Sequence, residues 1–237
     1  MGTSEIVRNI AEVRKRIEKR CLKNGVDPSS ITVVGITKTF PAEVASQGVS
    51  AGLSDLGENK VQEAQVKIPL VRPRPTWHLV GHLQKNKTKK AIELFDVIES
   101  VDSLGLAESI SSWSGKIEKK VTIYLQVNSS SESQKSGFDP SEILELIDDI
   151  KVLPNLRLAG LMTIGPLTED MKRIERSFAL TRTLFDKIVK IVGNGFDKLS
   201  MGMSGDYELA LDFGANVLRL GTAIFGARER EKSATGG

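Results

Sequence analysis

The stretch Ile31-Thr32-Val33-Val34-Gly35-Ile36-Thr37-Lys38 decides how this chain folds. Up to Thr37 it is short, apolar and rich in β-branched residues. That is the texture of a strand buried on both faces, and such strands belong to parallel sheets covered by helices. Working outward, similar short apolar runs recur near Ser54–Leu56, Trp77–Val80, Asp96–Glu99, Val121–Val127, Leu156–Ile164, Lys198–Met201 and Asn216–Leu220. Helical patterns lie between most of them. One follows from Pro41. Another begins at Asp139-Pro140-Ser141-Glu142, an acid at the N-cap, a proline in the first turn and a glutamate three residues after the cap. Ile174, Phe178, Thr181, Phe185, Ile188 and Val192 step along one face of a long helix that ends before Gly193. Ahead of the first strand, Ile6, Ile10, Val13, Ile17 and Cys21 form the apolar stripe of an N-terminal helix. In that stripe Cys21 reads as a small core residue rather than a reactive thiol.

Eight strands, each followed by a helix or a helix-like turn, fit the 237 residues of the chain as one (β/α)8 TIM barrel with an N-terminal helix. Closure is favoured over an open sheet because it leaves no edges. The expected division is a barrel over residues 1–228 and a tail over 229–237 that lacks apolar content and should be mobile. Lys+Arg 33 against Asp+Glu 30 is close to balance, and the charges are mixed, which is not the profile of an obligate nucleic-acid binder. A single cysteine can form neither an internal disulfide nor a cysteine-based zinc site, so a reducing compartment is the simplest setting. The first twenty residues carry charges throughout, and no window approaches the ~20 apolar residues of a membrane span. A cytoplasmic protein is expected, without membrane contact and as a monomer or weak dimer. His78 and His82 are four apart, but Trp77–Val80 reads as a strand and no HExxH glutamate is present, so no metal site is expected.

In barrels of this kind the active site lies at the C-terminal ends of the strands. Lys38 closes the first strand there. An ammonium at the mouth of an apolar strand is partly desolvated, which favours the neutral amine that a Schiff-base lysine needs, although the position alone also allows a lysine pointing to solvent. The second strand ends in Gly57-Glu58-Asn59, a polar cluster at the same rim. After the seventh strand, Met201-Gly202-Met203-Ser204-Gly205-Asp206 is a small-residue turn into a helix. After the eighth, Arg219-Leu220-Gly221-Thr222 is another. Either could be a tight turn and nothing more, but loops in these two places form the phosphate sites of many barrels. A lysine, an anion cup and an arginine around one cavity meet the needs of pyridoxal 5′-phosphate (PLP), which has an aldehyde, a phosphate and a ring nitrogen. Arg219, always protonated, would donate to an unprotonated pyridine nitrogen, and such a ring is a weak electron sink.

Seven segments then resemble one family in its own order: VVGITKTFP, DLGENKVQEA, WHLVGHLQKNK, QKSGF, LAGLMTIGP, KLSMGMSGDYELAL and VLRLGTAIFGAR. The chain resembles the PLP homeostasis proteins, also called proline-synthetase co-transcribed proteins, whose barrel is built like that of alanine racemase. The resemblance implies that Lys38 holds PLP as an imine and that Asn59 approaches the cofactor. It also implies that Ser204, Gly205, Gly221 and Thr222 form the phosphate cup and that Arg219 meets the ring nitrogen. Met162 would lie against the ring, with a plain core methionine as the rival reading. Lys135 resembles a second family lysine, with a solvated loop lysine as its rival.

Alanine racemase carries a second, β-rich domain that supplies a catalytic tyrosine, and such a domain is not expected here. Tyr124 falls mid-strand and Tyr207 begins a helix, so neither replaces that base. The resemblance therefore implies a non-catalytic PLP carrier of vitamin B6 homeostasis, which buffers or delivers the cofactor to PLP-dependent apoenzymes. A low-activity PLP-dependent racemase and a Schiff-base aldolase are the enzymatic alternatives, and a pure interaction module is a third.

Overall fold

The computed structural model describes residues 3–130 and 136–227. Eight strands run β1 (Thr32–Ile36), β2 (Asp55–Glu58), β3 (Thr76–Leu79), β4 (Val97–Val101), β5 (Val121–Gln126), β6 (Leu156–Met162), β7 (Lys198–Ser200) and β8 (Val217–Leu220). They pair in sequence order as a closed barrel. At the closing seam β1 lies parallel to β8, with Thr32 opposite Val217 and Val34 opposite Arg219. The strands fall where the apolar runs place them, within a few residues at each end. The surrounding helices are α1 (Thr3–Lys23), α2 (Ala42–Ser50), α3 (Val61–Lys67), α4 (Thr88–Leu94), α5 (Leu104–Lys116), α6 (Ile143–Lys151), α7 (Met171–Val192), α8 (Tyr207–Asp212) and α9 (Thr222–Phe225).

Alternation along each strand sorts its residues into two layers. Leu56, Trp77, Leu79, Ile98, Ile123, Leu161, Leu199 and Leu218 pack outward against the buried helix stripes. Val34, Ile36, Val80, Val97, Tyr124, Met162 and Val217 fill the barrel interior. Each fully buried large apolar side chain contributes about 1.5–3 kcal/mol over leaving it exposed.

The N-terminal helix buries the five residues of its expected stripe, Cys21 included. Burial pushes the Cys21 thiol up, away from the reactive thiolate. Polar residues flanking that stripe reach α8 and α9. Asn9 donates to the carbonyl of Ile224 at 3.0 Å, Arg16 pairs with Glu208 at 3.3 Å, and Arg20 pairs with Asp212.

One helix starts later than its sequence signal. Regular α6 begins at Ile143, not at Asp139. The Asp139 carboxylate accepts from the Ser141 N–H at 2.8 Å and closes a tight turn first, while its carbonyl accepts from the Ile143 N–H at 3.1 Å. A side chain that bonds two residues ahead makes a turn, and the helix follows from it. The long helix α7 ends at Gly193, as its spacing predicts, with a φ of 80°. Lys135 and the expected tail at 229–237 lie outside the described residues. Among the described residues, no helix is long and apolar enough to cross a membrane.

Candidate functional site

A cavity of about 520 Å³ opens at the C-terminal ends of the strands, within the size range of small-molecule sites. Lys38, Asn59, Ser204, Gly205, Arg219, Gly221 and Thr222 line it together. They come from the loops after β1, β2 and β7 and from β8 with its loop, so the closed strand order brings them to one mouth. Phe40, Val80, Ile164 and Met203 supply apolar wall, and His82 stands at the rim. Met162 is fully buried among the interior residues and is not part of the cavity wall. Lys135 lies outside the described residues.

Lys38 sits in a turn closed by the Phe40 N–H donating to the carbonyl of Thr37 at 3.0 Å. The turn forces Thr39 to a φ of 70°, a left-handed conformation that is strained for a β-branched residue. A buried ion group holds it. The Lys67 ammonium donates to the Thr37 carbonyl at 2.7 Å, to Glu58 Oε1 at 2.7 Å and to Glu63 Oε1 at 2.8 Å. Glu58 Oε1 also accepts from the Thr37 hydroxyl at 2.6 Å, and Glu63 accepts from the Thr39 N–H at 2.5 Å. Both neighbours of Lys38 are thus tied to one ammonium through two carboxylates. Glu58, which the sequence placed in the polar rim, faces the helix layer instead and is fully buried. Burial raises its carboxyl above the ordinary value, and Lys67 and Thr37 act against that rise.

The cup forms from two loops that touch. Gly202 adopts a φ of 93°, and a Cβ there would stand 2.7 Å from that of Ala210, so the turn into α8 requires glycine. Met203 N–H donates to Asp206 Oδ1 at 2.6 Å and shapes the rest of the turn. Ser204 Oγ then accepts from two backbone amides of the other loop, Gly221 at 3.2 Å and Ala223 at 3.0 Å. Two amides aimed at one oxygen, at the mouth of a cavity, are the donor arrangement that receives an anion's oxygens. The space beside Gly205 is open, with nothing within 4 Å of a Cβ built there.

Arg219 forms part of the floor. Its side chain is buried, with NH1 donating to Ser200 Oγ and NH2 to the Thr163 carbonyl, each at 2.6 Å. Burial lowers its pKa, and Glu99 and Asp206 oppose that. The two histidines part company. His82 is exposed beside Asp102 at 3.0 Å, while His78 points into the barrel between Glu99 and Asp55. Among the described residues, no group of three His, Cys, Asp or Glu side chains could hold a metal ion.

Sequence reading passed over Glu63, Lys67, Glu99 and Ser200, and weighed His78 only as half of a metal pair. A signal existed for three of them: His78, Glu99 and Ser200 are polar residues at inward parity inside apolar strand runs, where an unpaired group is costly. Taken together, the cavity offers a lysine side chain, a buried guanidinium and the small-residue loops of Ser204–Gly205 and Gly221–Thr222 around a mostly apolar space. Those groups suit a flat, phosphorylated carbonyl compound.

Residues 4–229 match the family described as "Alanine racemase, N-terminal domain". The chain is 40% identical over 227 residues to the pyridoxal phosphate homeostasis protein of Pseudomonas aeruginosa, covering 95% of this chain and 97% of that one. It superimposes with a TM-score of 0.81 on PipY of Synechococcus elongatus with PLP bound, at 33% identity, covering 93% of this chain and all of that one. Alanine racemase of Clostridium difficile shares the fold at 16% identity, with a TM-score of 0.76 over 96% of this chain and 58% of the racemase.

Proposed function

The chain belongs to the alanine racemase N-terminal domain family and, within it, to the pyridoxal phosphate homeostasis proteins, and from that premise we propose that it binds PLP in the cavity at the barrel mouth and buffers or delivers it. One observation carries the reading: Lys38, Arg219 and the small residues Ser204, Gly205, Gly221 and Thr222 line a single cavity of about 520 Å³. PLP, when bound, supplies an aldehyde that condenses reversibly with a primary amine. Lys38 is the amine at the mouth, and the clamp through Lys67 fixes the turn that presents it. The Gly221 and Ala223 amides, with the Ser204 hydroxyl and Thr222, are the groups to receive the phosphate. Arg219 has donors to offer a ring nitrogen, and a permanently charged guanidinium leaves that nitrogen unprotonated. Asn59, in the loop after β2, lines the same cavity.

The carrier reading, rather than a two-base enzyme, is supported by the tyrosines. Tyr124 is buried in the barrel interior and Tyr207 is buried at the start of α8, and neither lines the cavity. The test begins with the absorption spectrum of the purified protein after loading with PLP. A visible band, release of PLP by base, and mass mapping after borohydride reduction to the peptide bearing Lys38 are expected. Lys38→Ala should lose the band and Arg219→Ala should change its colour and weaken retention. A protein with no band and no releasable PLP overturns the reading. A full band in Lys38→Ala moves the site to another lysine. Measurable amino acid racemisation that disappears in Lys38→Ala would replace the carrier with an enzyme.

A further inference from the structure

The cavity floor continues downward as a hydrogen-bonded file through the middle of the barrel. Arg219 NH1 donates to Ser200 Oγ at 2.6 Å, and that hydroxyl donates to Glu99 Oε2 at 2.5 Å. His78 Nδ1 donates to Glu99 Oε1 at 2.7 Å, and its Nε2 donates to Asp55 Oδ1 at 3.0 Å. The five residues come from β8, β7, β4, β3 and β2. Asp55 ends the file in the wall of a second cavity, with Thr32 and Ser54, at the N-terminal ends of the strands. The side chains of His78, Glu99 and Arg219 are 3%, 0% and 4% exposed, so no solvent breaks the file between its ends.

Every bond direction in the file follows from chemistry. Both ring nitrogens of His78 face carboxylate oxygens, which have no proton to give, so each nitrogen carries one. The imidazolium holds Glu99 as a carboxylate, and a carboxylate in that place draws the Ser200 proton toward it. The free lone pairs of Ser200 then face Arg219. Charges alternate along the file, from guanidinium to carboxylate to imidazolium to carboxylate, and sum to zero. Burial disfavours the charged histidine, but Asp55 and Glu99 outweigh it and raise His78 to about 9. The other ionisable groups around the file are Tyr124 on β5, Lys198 on β7 beside Asp55, Arg157 on β6, and Asp197 and Asp206 at its edges.

Buried ion pairs seldom stabilise a fold more than apolar residues of the same size, so such a file points to a task at one of its ends. The end that reaches the cavity is Arg219. A direct fork onto a carboxylate would occupy the guanidinium, whereas Ser200 keeps Glu99 Oε2 3.9 Å from NH1. At that spacing Glu99 favours the charged guanidinium without forking onto it, which leaves donors for the cavity.

We propose that Glu99 and His78 are positioning residues of the cofactor site, acting through Ser200 to hold Arg219 in place and charged at the cavity floor, with Asp55 anchoring the far end. This rests on the PLP reading of the cavity. The test uses the full chain with Glu99→Gln and Ser200→Ala, the second being the mild change should the first fail to fold. PLP dissociation is measured by equilibrium dialysis, and the visible band is followed against pH. The His78 imidazole is titrated by NMR in the ¹⁵N-histidine apoprotein, with His82→Asn assigning the only other signal. In the wild type, His78 should keep both ring protons beyond pH 8. Each variant should raise the Kd for PLP about tenfold, the weight of one lost charge-assisted bond, and shift the pH profile of the band. In Glu99→Gln, His78 should give up its proton at lower pH. A His78 that loses its proton near pH 6.5 in the wild-type apoprotein overturns the inference. So do variants that melt, bind PLP and titrate like the wild type. A wild-type protein that takes up no PLP instead overturns the reading of the cavity itself.

Discussion

Thr39 shows how much is arranged around one reactive side chain. Its left-handed backbone persists because Glu63 holds its N–H and Lys67 holds Glu63. Lys67→Met would leave Glu58 buried with no counter-ion, and its second oxygen already makes no hydrogen bond. The expected loss is about 3–5 kcal/mol of stability, read as a lower urea midpoint. Adding Glu58→Gln should recover part of it by removing the stranded charge. None of this clamp was legible in the sequence. Glu63 and Lys67 are four apart in a polar helical stretch, the same pattern that a solvated helix face shows. What separates the two cases is whether a strand end lies beneath, and that is a tertiary fact. Lys38 itself was legible because its place at the mouth of an apolar strand needs only the order of the chain. Met162, by contrast, sits on a strand where inward and cavity-facing positions differ by one layer, and sequence does not count layers.

At the level of elements, the strands and the long helix α7 were readable because their apolar periods are strong, while α6 shows where such reading slips. Asp139 and Asp170 both accept from the amide two residues ahead, but only at Asp170 does the helix follow at once, from Met171. Residue type at a cap is therefore a good sign of a turn and a weaker sign of where the helix begins. Asp170→Ala should cost about 1 kcal/mol, the usual worth of an N-cap, and thermal melting should show it while PLP binding stays unchanged. The loops after β7 and β8 were legible as small-residue turns. Their junction, two amides of one loop on the Ser204 hydroxyl of the other, was not, since it depends on adjacent strands ending at the same height.

For the whole molecule, the file through the barrel makes stability depend on pH in a defined way. His78 stays charged in the fold to about pH 9, whereas a free imidazole gives up its proton near ~6.5. Its contribution is complete below about pH 6.5 and is lost as pH rises through 9. Asp55 and Glu99 are opposed by burial, yet His78 and its neighbours hold both carboxyls below their ordinary values. Their contribution is present above about pH 4 and is lost on further acidification. Urea unfolding should show a plateau between these limbs, and His78→Gln should flatten the alkaline one. The barrel as a whole was foreseeable from eight apolar runs in 237 residues. Which inward polar residues meet was not, because residues from β2, β3, β4, β7 and β8 come level only once the stagger of the closed sheet is set. The seam has a consequence for biosynthesis. Helix α1, which precedes all eight strands, is bound to α8 and α9, which follow β7 and β8, and β1 lacks one neighbour until β8 arrives. A chain still emerging from the ribosome owns Lys38 before it owns Arg219, Gly221 and Thr222, which line the same cavity. Uptake of the cofactor therefore waits for β8 and the loop after it, and a bound molecule reports that the ring has closed.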